Sequence, residues 1–154
     1  MAIGLWLLAG VLPIPSIADD LGSRLAYAIG ANVFALIPLV IMLMAIANAR
    51  FLSDAIDPTR GAESASMQID GRAADNTLQQ SLVFVVASLG VSTRIPLHSL
   101  QVIWACAIVF VVARFSFWFG YRINPLYRAP GMSATAYLNL GMMLFALFRI
   151  LIRP

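Results

Sequence analysis

Apolar residues gather into five runs along the chain, separated by short polar connections. The first, "MAIGLWLLAGVLPIPSIA", covers about residues 1–18 and is interrupted by Pro13 and Pro15. The second runs from about Leu25 to Ala49, "LAYAIGANVFALIPLVIMLMAIANA". Its Pro38 predicts a kink rather than a break, because proline is tolerated inside spanning helices. A third run extends from about Asn76 to Val91, and Ala73–Asp75 would bring it to a workable length. After the turn "STRIP" come a fourth, about His98 to Tyr121, and a fifth, about Met132 to Ile152. Stretches of ~18 or more residues with few charges read as membrane-spanning helices. The second, fourth and fifth meet that length, and the third completes a bundle. The one long polar connection, Arg50 to Arg72, holds the densest charge in the chain and is expected to be solvated.

Composition makes the membrane reading firm. Hydrophobic residues make up 61% of the 154 and charged residues only 11%, where a soluble domain carries about a quarter charged. The first run ends in Ser16-Ile17-Ala18, a small-x-small pattern, but no basic residue precedes it. It is therefore expected to remain as a short helix, interfacial or a truncated span. Residues 1–20 form an N-terminal hydrophobic extension on this reading, and residues 24–154 the membrane domain.

All ten basic residues are Arg, against seven acids. Most of them sit near helix ends, without aromatic interleaving in a soluble segment, so nucleic acid is not an expected partner. Loop counts favour the side carrying Arg50, Arg60, Arg72, Arg122 and Arg128 over that carrying Arg24, Arg94, Arg149 and Arg153. The positive-inside rule then places the long loop in the cytoplasm. Arg94, Arg122, Arg149 and Arg153 are expected to snorkel to lipid headgroups. A single cysteine, Cys106, allows no intrachain disulfide, and with one histidine, His98, it does not supply the usual zinc ligands. Ala26-x3-Gly30 and Ala31-x3-Ala35 are small-residue pairs that permit close helix packing.

Polar residues inside the apolar runs carry the candidate chemistry. Arg72, Asn76, Gln79 and Gln80 recur at steps of four, three and one, so they share one helical stripe. Arg114, Phe117, Trp118 and Tyr121 form a second stripe, with Arg128 following in "INPLYRAPG". Successive helices run antiparallel, which brings both stripes to the end that carries the long loop. Polar groups at membrane depth face a bundle interior, a cavity or the interface, so the two stripes predict a shared polar cleft rich in guanidinium. Arg114 lies some two turns inside its helix and needs an internal partner.

"RAADNTLQQ" resembles the Arg-Ala-x-x-Asn-x-x-Glu signature of the MAPEG family, the membrane-associated proteins of eicosanoid and glutathione metabolism. "ARFSFWFGYRINPLYRAPG" resembles its second signature, and "NARF", ending at Phe51, resembles the Arg-bearing end of its first helix. The resemblance covers about residues 24–152 and is to a divergent, bacterial-type member. It implies an all-α integral membrane protein: a four-helix transmembrane bundle, assembled as a homotrimer, here in a bacterial inner membrane. It further implies that glutathione binds between subunits as co-substrate. Arg50, Arg72 and Asn76 would hold its backbone and carboxylates, Gln79 would stand at the position of the signature's Glu, and Tyr121 would contact the tripeptide. Arg128 would sit by its sulfur, and Arg114 would be a structural or binding member of the second signature.

Three residues depart from the pattern. Gln79 replaces the Glu and removes a negative charge that could take the ligand's ammonium. Phe117 stands where a Tyr is common, and Gln80 where some members have a Tyr. Three readings follow. One is a glutathione-dependent transferase or peroxidase acting on a lipophilic small molecule from the bilayer. Another is a non-catalytic accessory subunit of a larger membrane complex. The third, a small-solute channel or transporter, is disfavoured because only Arg114 is ionisable well inside a helix.

Overall fold

The computed structural model describes residues 2–57 and 63–152; Arg60 and Arg153, which the sequence places on the two faces, lie outside them. The regular elements among the described residues are all helices, without a strand. A short helix, α1 (Ala2–Val11), precedes α2 (Leu21–Ala35) and α3 (Ile37–Phe51), and these are followed by α4 (Ala65–Ser92), α5 (Val102–Ile123) and α6 (Ala129–Ile152). Helices α2 and α3 make one span of 31 residues, interrupted only at Leu36. Pro38 lies in the first turn of α3, where its missing N–H is cheapest, so the residue does not end the span. Leu21–Phe51, Leu97–Ile123 and Ala129–Ile152 are long and apolar enough to cross a membrane.

Helix α4 is much longer than its apolar run. Ser64 caps it by accepting from the Met67 N–H at 3.3 Å, and the helix then runs 28 residues. At ~1.5 Å per residue that is about 42 Å, more than the ~30 Å hydrocarbon core of a bilayer. Its first turns hold Asp70, Arg72 and Asp75. The polar connection expected from Arg50 to Arg72 is accordingly shorter. Its last eight residues are helical, and Asp70 is buried rather than solvated.

The bundle is apolar on its outer face as well as in its core, and a few polar side chains lie within that core. Val40, Leu82, Val112, Leu144 and Phe148 point outward, while Asn32, Ser88, Arg114, Thr135 and Asn139 are buried. Hydrogen bonds between helices hold the interior. Ser88 donates to Asn32 Oδ1 at 2.7 Å, and Asn139 Nδ2 donates to the main-chain and side-chain oxygens of Gln80, both at 2.9 Å. Of the small residues in α2, Ala28, Ala31 and Ala35 pack inward, whereas Ala26 and Gly30 are exposed. Only the second of the two expected pairs is a packing face.

Arginines tie down both ends of the bundle. At one end Arg24 donates to the carbonyls of Ser92 (3.1 Å) and Ile95 (2.6 Å), and Arg149 donates to the carbonyl of Arg94 (2.8 Å). These guanidiniums satisfy main-chain oxygens after α4, where helix ends leave carbonyls unpaired. At the other end Arg122 grips Asp70 with Nε at 2.7 Å and Nη2 at 2.6 Å. Arg122 and Arg149 therefore have protein partners instead of snorkelling to headgroups alone. The Asp70–Arg122 pair also places the start of α4 beside the end of α5, so the 52–64 connection and the 124–128 loop share one end. Cysteines introduced at Ser64 and Ala129 are expected to react with an impermeant maleimide from the same side of sealed vesicles. Labelling from opposite sides would overturn this topology.

Candidate functional site

Two glycines shape the end of α5. A Cβ on Gly131 would lie 2.4 Å from the Phe117 nitrogen and 2.5 Å from the Ala113 carbonyl oxygen. Only glycine lets α6 start this close to α5. A Cβ on Gly120 would lie 2.4 Å from the Tyr127 carbonyl oxygen, so the loop can fold back onto α5 there. The next residue is Arg128, and its guanidinium carbon sits 4.6 Å from the centre of the Tyr121 ring. Tyr121 is buried beneath it and packs on Phe117 at 5.9 Å. The stacked guanidinium is exposed, with its charge directed outward from the chain.

Arg114 is fully buried. It donates from Nε and Nη2 to Thr135 Oγ1 (3.0 and 2.7 Å), from Nη2 to the Gly131 carbonyl (3.1 Å) and from Nη1 to Asn76 Oδ1 (2.9 Å). The Phe117 ring lies 4.6 Å from its guanidinium carbon, a cation–π distance. The internal partner that the sequence demanded is thus Asn76 with Thr135 and two aromatic faces. Asn76 spends its Oδ1 on Arg114, while its Nδ2 has no partner among the described residues and the residue is only half-buried. Phe117 is packing beneath that knot, so its lack of a hydroxyl removes nothing from the outer surface of this chain.

A separate cleft of about 440 Å³ opens between α3 and α4, lined by Arg50, Glu63, Gln68, Arg72 and Asp75 above an apolar floor. Arg50 Nε donates to Glu63 Oε1 at 3.1 Å, and its Nη2 makes a second, shorter bond to the same oxygen. Arg72 is exposed at the rim. Gln79 is also exposed and does not line the cleft.

The predicted residues thus share one end of the bundle but not one cavity within a single chain. Arg50 and Arg72 line the α3–α4 cleft, Asn76 and Arg114 form the buried knot, and Tyr121 and Arg128 form the outward stack. The expected continuous stripe straddles a boundary. Asn76 and Gln80 bond toward the interior, while Arg72 and Gln79 lie on the outer face of α4.

The family model for the MAPEG family matches residues 25–148. The chain belongs to the MAPEG family. Its fold is the membrane helical bundle of that family, and it is a membrane protein of the family associated with eicosanoid and glutathione metabolism. No curated protein and no solved structure matches the chain at a significant level. Helix α1 precedes the matched region.

Sequence reasoning misses several residues at this end of the MAPEG bundle. Asp70 accepts from Trp118 Nε1 at 2.7 Å as well as from Arg122, and Arg122 stacks 4.9 Å from the Trp118 ring. Trp118 and Arg122 are four apart on one helix, a spacing visible in sequence; their partner, 48 and 52 residues earlier, is not. Glu63 reads in sequence only as loop charge, and Thr135 has no signal beyond its four-residue spacing from Gly131.

Proposed function

We propose that the protein is a glutathione-dependent transferase or peroxidase acting on lipophilic electrophiles that partition from the bilayer, and that it works as a homotrimer. The observation that carries this reading is the pairing of a guanidinium-bearing cleft, Arg50 and Arg72, with an outward guanidinium, Arg128, at the same end. Glutathione carries two carboxylates, which planar Arg forks suit, and a thiol that must ionise before it attacks. The thiol proton leaves to solvent. The thiolate sulfur then forms a bond to an electrophilic carbon as the leaving group departs with its electron pair. With a hydroperoxide, two glutathiones are oxidised to the disulfide while the hydroperoxide is reduced to an alcohol and water.

The energetics favour a site closed by a neighbouring copy. Lowering a thiol pKa by about two units takes roughly 2.7 kcal/mol, whereas an exposed ion pair contributes about 0–1 kcal/mol. Arg128 is exposed in the single chain, so it reaches the larger value only if a second copy excludes water around it. Purified protein in mild detergent is expected to be a trimer and to give a heat of binding when titrated with glutathione. No heat from a well-folded trimer would remove the glutathione reading.

The accessory-subunit reading is favoured by one observation: Gln79 supplies no charge and has no hydrogen-bond partner among the described residues. A stable monomer, or a fixed hetero-complex that occludes the α3–α4 cleft, would make that the better account.

A further inference from the structure

We infer that Asp75 is the anchor for the ammonium of an α-amino-acid group, in place of the charge that Gln79 lacks, and that the α3–α4 cleft selects zwitterionic ligands. The inference rests on the glutathione reading and assigns one end of that ligand. The cleft is lined by two guanidiniums, Arg50 and Arg72, and two carboxylates, Glu63 and Asp75. Arg50 and Glu63 are already paired, and Gln68 Nε2 donates to the Glu63 carbonyl at 3.4 Å. That leaves Arg72 and Asp75. Both are exposed, and neither has a hydrogen bond or ion pair among the described residues, with each other or with anything else.

Their placement matches the chemistry of one amino-acid head group. Residues three apart on a helix carry Cβ atoms about 5–6 Å apart, so Arg72 and Asp75 can flank a carboxylate and an ammonium borne on the same carbon. Asp75 also lies one turn before Gln79 on the same face of α4, close to where the family signature would place its Glu. A ligand with only negative charge would meet two carboxylates in this cleft, and one with only positive charge would meet two guanidiniums. A zwitterion satisfies both signs.

The test compares glutathione with its des-amino analogue, in which hydrogen replaces the α-amino group of the γ-glutamyl residue. The native protein at low salt is expected to bind glutathione about tenfold more tightly than the analogue, the discrimination one charge-assisted hydrogen bond gives after solvent screening. Asp75→Asn is expected to abolish that discrimination by weakening glutathione alone. Equal weakening of both ligands would make Asp75 a structural residue and overturn the inference. Unchanged glutathione affinity in Asp75→Asn would overturn it too, while leaving the glutathione reading standing. If the native protein binds neither ligand, both fall.

Discussion

Replacing Arg114 by alanine is expected to cost about 3–5 kcal/mol, from the cavity left by a large buried side chain together with the acceptor it strands. The side chain is fully buried, so solvent does not screen the loss. Among the described residues no carboxylate pairs with it. Its stabilisation comes from the neutral oxygens of Thr135, Gly131 and Asn76 and from the faces of Phe117 and Phe110, at 4.6 and 6.0 Å. Alanine would leave a void and an unpartnered Asn76 oxygen between α4, α5 and α6. Methionine fills much of the same volume. Thr135 already donates to the Gly131 carbonyl at 2.8 Å, so in Arg114→Met only Asn76 loses its donor, and the cost falls to about 1–3 kcal/mol. Unfolding of Arg114→Ala and Arg114→Met in the same detergent, followed by circular dichroism, measures the difference. Equal costs would show that filling the volume contributes nothing and that the guanidinium's charge and hydrogen bonds carry the whole effect.

The spans are legible because a membrane makes hydropathy itself the signal. Runs such as Leu25–Ala49 need no periodicity to be recognised, and the span continues past Pro38. The start of α4 is illegible for the opposite reason. Residues 65–72 carry charge and a glycine and would be solvated coil on local grounds. They are helical because Ser64 caps them and because Asp70 finds Trp118 and Arg122. That is a tertiary effect, invisible to any local window.

The candidate site divides the same way. Helical spacing correctly joins Arg72 to Asn76 and Arg114 to Phe117 on their own helices, but does not say which edge of each stripe turns inward. Asn76 lies only about 40° around α4 from Arg72 by the ~3.6-residue period, yet one is bonded to Arg114 and the other lines an open cleft. The stacking of Arg128 on Tyr121 depends on Gly120, whose missing side chain admits the returning loop. Sequence flags such a glycine only as a gap in a helical pattern.

Arg128→Ala is expected to shift the ionisation of bound glutathione upward by about two units and, by linkage, to weaken its binding about fourfold at neutral pH. A free thiol titrates near ~8.5; stabilised by a desolvated guanidinium, it would titrate near ~6.5, a difference of about 2.7 kcal/mol. At neutral pH the thiolate fraction then falls about 25-fold in the variant, from roughly three-quarters to a few per cent. Contacts to the ligand's carboxylates are unchanged in the variant, so the affinity loss comes from the thiolate alone and grows as pH rises toward the free thiol's pKa. Turnover at neutral pH falls by less than the thiolate fraction, because a thiolate of higher pKa is intrinsically the better nucleophile. Above about pH 9 both proteins hold mostly thiolate, and the variant equals or exceeds the native rate per bound thiolate. Ultraviolet absorbance of the thiolate against pH gives the midpoint, and calorimetric titration gives the affinity of each protein. A midpoint that does not move, in a variant that still binds glutathione, would take the sulfur away from Arg128 and leave its stack on Tyr121 as a structural contact.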